Sequence, residues 1–486
     1  MSLLPLYSSS AFGVTTQDAV TILVDLDHSA LGPTPEIVSS AVRHLCGFSL
    51  PGDKFHSITV GDYYDVANDY YAQIKSQDRT GKDTLIFLAY LSAYYHELRH
   101  AHDLLATNFG QSVILANLNY YQNLPGLIRG LITWQTKSTN RSVPLPLYDN
   151  MGVLADAPDS VRELLTRYRK FHLNLLSNYQ PDKASPAGLT LNHLLECSAT
   201  NIQLDFIHDL FGWDALFDLI NFIQRGKRSR FYLRIRNDIA EAFASRGFNG
   251  KETGTTINYL LWCGLMGTRF RDAEPKDSPS NLILYEAMVE YVTRNADKLD
   301  LDSVNKLIQD FCDMWELKTP QHMVLETQNF LDQIAIKMRQ RWQEVDNEFL
   351  KSNVAEESLG SQLSKYHTNF IEAFKQLNQL ITTNPEVFFG QRLYVWSVIA
   401  GKLPSVRLFI KINHTVYDTM SHGYEIIPSA TWGFMTRLAA AFKLLMHGRT
   451  QSAFSFIEDS AFKLLTETNF GGNHLRVQDK GPLFNW

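Results

Sequence analysis

Cysteine is scarce in this sequence, which has four copies at Cys46, Cys197, Cys263 and Cys312 and no C-x-x-C pair. Such usage argues against the disulfide framework of small secreted proteins and is typical of reduced thiols in a cytosol. The first residues also lack the basic stretch and the long apolar stretch of a secretory signal. We therefore expect a cytoplasmic protein.

Long apolar runs and an excess of positive charge are also missing. No run of about 18 uncharged apolar residues occurs, so the sequence predicts no membrane span. The net charge of −6 gives no general reason to expect binding to nucleic acid or to an anionic membrane. One basic run, Arg225–Arg236, could contact nucleic acid or an acidic partner. We favour a solvated turn and helix start, because the rest of the chain is not basic.

The residues that are present predict a mainly α protein of the α+β kind. The chain has 486 residues with 45% hydrophobic and 20% charged residues, enough for two or three domains with sizeable cores. Helical spacing of apolar residues covers most of the sequence. Short alternating or β-branched stretches predict strands at Val20–Val24, Phe55–Val60 and Val406–Ile412.

The polar stretch Arg271–Ser280, which contains two prolines, is the best candidate for a domain boundary. It predicts an N-terminal domain over residues 1–272, which contains the small β element. A helical domain would follow over residues 281–486.

The most informative stretch is an apolar helix that runs from Thr84 to Asp103 and contains the motif H-E-L-R-H. On a helix, His96 and His100 lie one turn apart on one face. Two imidazoles so placed can share one Zn²⁺, and Glu97 can then reach a water on that metal. The alternative is a polar helix end that emerges into solvent. Burial favours the metal, because buried polar groups are costly unless they are paired or bound.

Through His96, Glu97 and His100 the chain resembles the zincin metallopeptidases. The resemblance covers one helix and part of another. It implies a zincin-like N-terminal domain and a zinc-dependent metalloprotease that hydrolyses peptide bonds of a protein substrate. Glu97 would be the general base on zinc-bound water. The helical C-terminal domain would recognise the substrate or another protein partner, and the strand predicted at Phe55–Val60 would be an edge for an extended peptide.

Catalytic zinc usually has three protein ligands, so a third ligand is needed. A third histidine at the H-E-x-x-H-x-x-G-x-x-H spacing would fall on Ala106, and Asp103 stands where that motif needs glycine, so that class is excluded. What remains is a carboxylate from a later helix. Because residues 101–162 contain no glutamate, the candidates are Glu163 and Glu196.

Glu196 is the better candidate because it lies mid-helix among apolar neighbours, where an unpaired carboxylate is expensive. The small residues at 198–200 would let its helix pack closely on the H-E-L-R-H helix. This arrangement resembles the glutamate-bearing second helix of gluzincins. The alternative is a buried structural glutamate paired with Arg99 or Arg129.

Other polar residues near the motif have open roles. Asp103 lies on the face of His96 and His100 and is expected to hold the ring N–H of His100 or a neighbouring helix. His102 points to the opposite side, as a surface or packing histidine, and His193 lies close to Glu196 in sequence. Five tyrosines could donate to an oxyanion: Tyr94, Tyr95, Tyr120, Tyr121 and Tyr148.

A second interpretation belongs to a different class: a non-catalytic helical interaction protein with a structural or relic metal site. The presence of Glu97 favours the enzyme, since a structural site built on two histidines does not need it.

Overall fold

The structure is a computed structural model that describes residues 13–15, 22–27, 33–48, 50, 53–137, 141–177, 188–224, 229–267, 281–345, 359–404, 406, 408–412, 415–419, 429–449, 455–467 and 472–479. Helix accounts for 75% of it and the strands are few and small. The prediction of a mainly α protein is therefore confirmed.

The helices follow one another along most of the chain. They are α1 (Glu36–Leu45), α2 (Tyr63–Gln77), α3 (Lys82–Ala106), α4 (Asn108–Tyr121), α5 (Leu124–Thr136), α6 (Asp159–Ser177), α7 (Leu191–Gln224), α8 (Ser229–Ala244), α9 (Gly250–Met266), α10 (Asn281–Asn295), α11 (Leu301–Met314), α12 (Pro320–Val345), α13 (Leu359–Thr383), α14 (Pro385–Phe389), α15 (Gln391–Ile399), α16 (Ser429–His447) and α17 (Ser455–Glu467). A short 3₁₀ helix spans Met151–Leu154.

The strands form two small sheets and are β1 (Gly13–Thr15), β2 (Ile22–Asp25), β3 (Val143–Leu145), β4 (Leu408–Ile412), β5 (Thr415–Thr419) and β6 (Val477–Asp479). One sheet has the order β1-β2-β4-β5, and the other pairs β3 with β6. In the first, β2 is antiparallel to β1 and parallel to β4, while β4 is antiparallel to β5. All four residues of β2 are buried, as expected of a strand covered on both faces.

The strand predicted at Phe55–Val60 is wrong, because the described residues 53–60 contain no strand. The side chain of His44 packs against this segment instead. Its ring stacks on Phe55 with 4.6 Å between centroids, and its Nε2 lies 2.8 Å from the carbonyl oxygen of His56. A side chain thus meets the backbone group that a neighbouring strand would have paired, so the proposed peptide edge at this segment is not formed.

The central helix of the molecule is α3, which is buried along most of its length. Its start is fixed by Asp78, whose Oδ2 accepts hydrogen bonds from Thr84 N at 2.8 Å and Thr84 Oγ1 at 2.9 Å. Gly81 precedes the helix with φ of 74°, a conformation that favours glycine. At the other end Thr107 has extended backbone angles and caps α4 by accepting from Gly110 N at 3.2 Å.

The second long helix, α7, lies antiparallel against α3. Gln203 donates to Ser92 Oγ at 2.9 Å, and the rings of Tyr95 and Phe206 lie 4.3 Å apart. The sequence predicts two helices here, over 189–211 and 214–224. The structure agrees, because the two helical segments of α7 are separated at Gly212, whose φ of 81° and ψ of −172° are not helical.

The predicted boundary at 271–280 lies outside the described residues, as does most of the predicted loop at 179–188. The segments on its two sides share structure. Strand β2 from the first segment pairs with β4 from the second, and one core cluster includes Phe87, Leu194 and Phe388. The division into two domains stays a prediction.

Part of the basic run, residues 225–228, also lies outside the described residues. Further along the run, Arg234 lies 3.5 Å from Asp238 in an ion pair within α8. Arg236 binds α7, with Nε donating to Asn201 Oδ1 at 2.6 Å and Nη2 lying 3.3 Å from Asp205 Oδ1. Arg234 and Arg236 therefore make intramolecular contacts. Nowhere in the described ranges is a helix both long and apolar enough to cross a bilayer.

Candidate metal centre

The regular turn of α3 brings His96 and His100 together on one face. Their rings lie 4.6 Å apart between centroids and are nearly perpendicular, at 88°. The two Nε2 atoms are 3.0 Å apart. Both imidazoles thus present the same ring nitrogen to one point in space, as the spacing of the motif predicts.

Helix α7 brings Glu196 to that point from the opposite side. Its Oε2 lies 3.3 Å from His96 Nε2 and 3.4 Å from His100 Nε2. A tetrahedral zinc ion with ligands at about 2.0–2.1 Å holds its ligand atoms about 3.3 Å apart. The three measured separations are close to that length. Among the described residues, this is the one group of three or more His, Cys, Asp or Glu side chains placed to share an ion.

The His96–His100–Glu196 cluster is mostly shielded but keeps an opening to solvent. The exposed fractions of the side chains are 15% for His96, 7% for His100 and 15% for Glu196. Solvent therefore contacts part of His96 and Glu196, while the helices around the cluster lower the local dielectric constant.

The electrostatics of the cluster favour a positive charge at its centre. Burial alone would lower the pKa of His100, but the carboxylate of Glu196, with contributions from Glu97 and Asp103, raises it to about 9. Burial would also raise the pKa of Glu196, and here the two imidazoles outweigh it and hold that pKa below its usual range. The site thus stabilises an anionic carboxylate facing a cation.

The donor set fits zinc, which takes imidazole nitrogen and carboxylate oxygen and leaves a fourth position open in catalytic sites. The second ring nitrogen of His96, Nδ1, is buried and has no hydrogen-bond partner in the described part of the chain. Glu97 follows His96 on α3 and is only 8% exposed. The structure therefore places a carboxylate beside the cluster that is not itself one of the three converging groups.

The other candidate glutamate is elsewhere. Glu163 lies on α6, its side chain is 61% exposed, and it forms an ion pair with Arg167 one turn along. The alternative considered for Glu196, a structural ion pair with Arg99, is not what the described residues show. Arg99 pairs instead with Asp103, with 3.0 Å between Nε and Oδ1. This leaves the carboxylate of Glu196 facing the two histidines.

A buried network behind the cluster was not found from the sequence. Arg99 Nε donates to Asp103 and to Ser198 Oγ at 3.0 Å, so Asp103 reaches the neighbouring helix α7 through Arg99. His102, on the opposite side as expected, is a packing histidine with 1% exposure. Its Nε2–H donates to the carbonyl oxygen of Pro404 at 2.7 Å and its Nδ1 accepts from Tyr394 at 2.8 Å. The i,i+4 pair of Arg99 and Asp103 is the one sequence signal of this network.

Burial disfavours the charged form of His102 and lowers its pKa to about 4. His193 is close enough to Glu196 for that carboxylate to act on it, although burial has the larger effect and lowers its pKa. His102 is therefore neutral near pH 7.

Three of the tyrosines considered as oxyanion donors have contacts elsewhere. The hydroxyl groups of Tyr95 and Tyr63 lie 2.8 Å apart in the core. Tyr120 donates to the carbonyl oxygen of Arg167 at 3.2 Å. The ring of Tyr148 packs against His172 and His447, at 5.4 and 5.6 Å between centroids. These contacts give no support to a donor role at the cluster.

Comparison of the chain with known protein families, with curated proteins and with solved structures finds no significant match. Any conclusion about function therefore rests on the geometry of the cluster itself.

Proposed function

We propose that the protein is a zinc-dependent metalloprotease that hydrolyses peptide bonds of a protein substrate. The observation that supports this is the convergence of His96 Nε2, His100 Nε2 and Glu196 Oε2, with separations of 3.0, 3.3 and 3.4 Å. Two histidines and one carboxylate are a donor set of catalytic zinc sites, which keep one position for water or substrate. A zinc ion bound there supplies the Lewis acidity that activates water and polarises a carbonyl group.

Glu97 carries the proton chemistry in this proposal. Its carboxylate accepts the proton of the attacking water and returns it to the leaving amine. Its position fits the role, because it is next to His96 on the same helix and is mostly shielded from bulk water. Shielding strengthens the interaction of a carboxylate with a nearby proton.

The surrounding elements support a zincin-like organisation of the N-terminal part. Helix α3, which carries the motif, packs against β1 and β2 of the mixed sheet, and α7 supplies the glutamate. We further propose that the helical C-terminal part contributes to recognition of the substrate or of a protein partner. A cytoplasmic location is proposed from the four cysteines, all of which are free.

The test is the zinc content and the peptidase activity of the purified protein and of Glu97→Gln. We expect about one zinc per chain in both, and a loss of cleavage in Glu97→Gln of about 10²–10⁴-fold, the usual contribution of a general base. Casein and a library of unstructured peptides, followed by mass spectrometry, provide the substrate.

Each result decides between the interpretations. A wild type that takes up no zinc after reconstitution would overturn the proposed function. Equal cleavage by wild type and Glu97→Gln would remove Glu97 as the base. Bound zinc without cleavage of any substrate would favour a structural metal site in an interaction protein.

A further inference from the structure

Arg99 is a charged residue with no exposure to solvent, placed on α3 between the two histidines of the cluster. Two of its three guanidinium nitrogens have hydrogen-bond partners, while Nη2 has none among the described residues. Nε lies 3.1 Å from Asp103 Oδ2 and 3.0 Å from Ser198 Oγ, and Nη1 donates to the carbonyl oxygen of Phe388 at 2.5 Å. The rings of Phe388 and Tyr394 lie 4.2 and 5.3 Å from its central carbon.

These contacts connect three parts of the chain behind the cluster. Ser198 lies on α7, two residues after Glu196, and Phe388 lies on α14. The neighbouring carbonyl, that of Phe389, accepts from Asn258 on α9 at 2.9 Å, and Asn258 in turn accepts from Asn201 on α7 at 3.0 Å. Buried donors thus hold two carbonyl groups at the end of α14, and both chains of contacts include α7.

The burial of the charged Arg99 is poorly explained by a contribution to the stability of the fold. Desolvation of an ion pair offsets much of its attraction, and apolar replacements of similar size are often neutral or stabilising. The directional hydrogen bonds of Arg99 do, however, restrict the position of α7 along α3. A slide of α7 by one turn along α3 would move Glu196 by about 5.4 Å. That is more than the 3.3–3.4 Å that now separates its carboxylate from the imidazoles.

We infer that Arg99 is a positioning residue, which sets the register of α7 on α3 through Ser198 and thereby holds Glu196 against His96 and His100. This inference rests on the proposed zinc function. It also gives residues 385–389, beyond the predicted domain boundary, a supporting role at the metal centre.

The experiment measures zinc affinity by chelator competition in Ser198→Ala and in the double variant Arg99→Met/Asp103→Leu. The double variant removes both charges and so leaves neither one buried alone. We expect its zinc affinity to fall about 10–100-fold, as when outer partners of metal ligands are lost, and that of Ser198→Ala to fall less. The visible absorption of the Co²⁺-substituted protein should also change, because it reports the ligand geometry.

Arg392→Met is the control, because Arg392 also contacts α7, at Asp209, but outside this network and further from Glu196. Its zinc affinity should stay that of the wild type even if its melting temperature falls. An equal fall in the control, or unchanged affinity in both test variants, would overturn the inference. Should the double variant fail to fold, Ser198→Ala decides.

Failure of the proposed function gives a different result, namely no zinc in the wild type. Crystal structures of the metal-free proteins then decide the positioning role. Displacement of Glu196 Oε2 from the two imidazoles in the double variant supports it. Retention of the 3.3 and 3.4 Å separations contradicts it.

Discussion

Two pairs of histidines in this protein have nearly the same spacing between their ring centroids and opposite electrostatics, although the rings are perpendicular in one pair and tilted by 41° in the other. His96 and His100 have ring centroids 4.6 Å apart, and His172 on α6 and His447 at the end of α16 have centroids 4.7 Å apart. At the first pair the pKa of His100 rises to about 9, against the effect of burial, because Glu196 faces it. At the second pair, burial, with Lys443 adding to it, lowers the pKa of His172 to about 4.

The difference shows that proximity of two imidazoles does not by itself create a cation site. A carboxylate must supply negative charge where the nitrogens converge. At the His172–His447 pair, burial, the neighbouring His172 and the charge of Lys443 lower the pKa of His447, and Nε2 of His447 lies 2.8 Å from the hydroxyl oxygen of Tyr168. That pair is therefore neutral near pH 7 and has a packing role.

The largest expected effect comes from Glu196→Gln, which keeps the shape of the side chain and removes its charge. The first pair then loses the group that distinguishes it from the second. We expect zinc affinity to fall by more than about 100-fold, since loss of outer partners alone costs about 10–100-fold. Chelator competition measures this. Glu163→Gln is the control and should bind zinc as the wild type does, and equal losses in the two variants would contradict the comparison.

The second prediction concerns the stability of the folded protein at low pH. The pKa of His172 in the folded protein is about 4, below the value of about 6.5 in an unfolded chain, so the unfolded state binds the proton more tightly. Its contribution to stability is present above pH 6.5 and is lost as the pH falls toward 4. Between pH 7 and pH 4.5 we expect this loss to be roughly 1–3 kcal/mol.

Chemical denaturation at both pH values tests this in the wild type and in His172→Phe, which should lose less stability on acidification. His474→Gln is the control, because His474 is exposed. If His172→Phe loses as much free energy of unfolding on acidification as the wild type does, the His172–His447 pair is not the source of the acid sensitivity.

The third prediction is smaller. Tyr168→Phe removes the hydroxyl group that pairs with His447 Nε2 and leaves that partly buried nitrogen without this partner. We expect a loss of about 1 kcal/mol in the free energy of unfolding, the net value of a typical buried hydrogen bond. Urea denaturation at pH 7 measures it. The zinc affinity should not change, and a change would indicate that the two histidine pairs are coupled.

The smallest expected effect is that of Lys443→Met. Burial is the larger cause of the low pKa of His172 and Lys443 the smaller one. Removal of the ammonium group should therefore raise the pKa of His172 only slightly, because burial remains. An NMR titration of the ring protons measures it, and a rise to the value in an unfolded chain would contradict the role given to burial.

The sequence predicted the parts of the site that follow from local spacing. The one-turn separation of His96 and His100 and the buried setting of Glu196 are visible in the order of residues. The partners of Arg99 are not, because Ser198 and Phe388 follow it by 99 and 289 residues. Helix periodicity says which face is apolar, but it does not say which distant backbone carbonyl will meet that face.

The fold shows the same limit. The helix predicted at Thr84–Asp103 and the strands β2 and β4 were found near their expected positions. The strand predicted at Phe55–Val60 was wrong because alternation of apolar residues is not sufficient, and a strand also needs a partner with free hydrogen-bonding groups. In the described structure the ring of His44 stacks on Phe55 and binds the carbonyl of His56.

The pairing of β2 with β4 has a consequence for synthesis of the chain. Asp25 and Lys411, whose charged groups lie 3.0 Å apart, are separated by 386 residues. A ribosome that adds about 5–20 residues per second needs roughly 20–80 s to make that interval. Throughout this time β2 has left the ribosome, but the edge that pairs with β4 has no partner. The nascent chain therefore has a long window in which a chaperone that covers exposed strands would raise the yield of the folded protein.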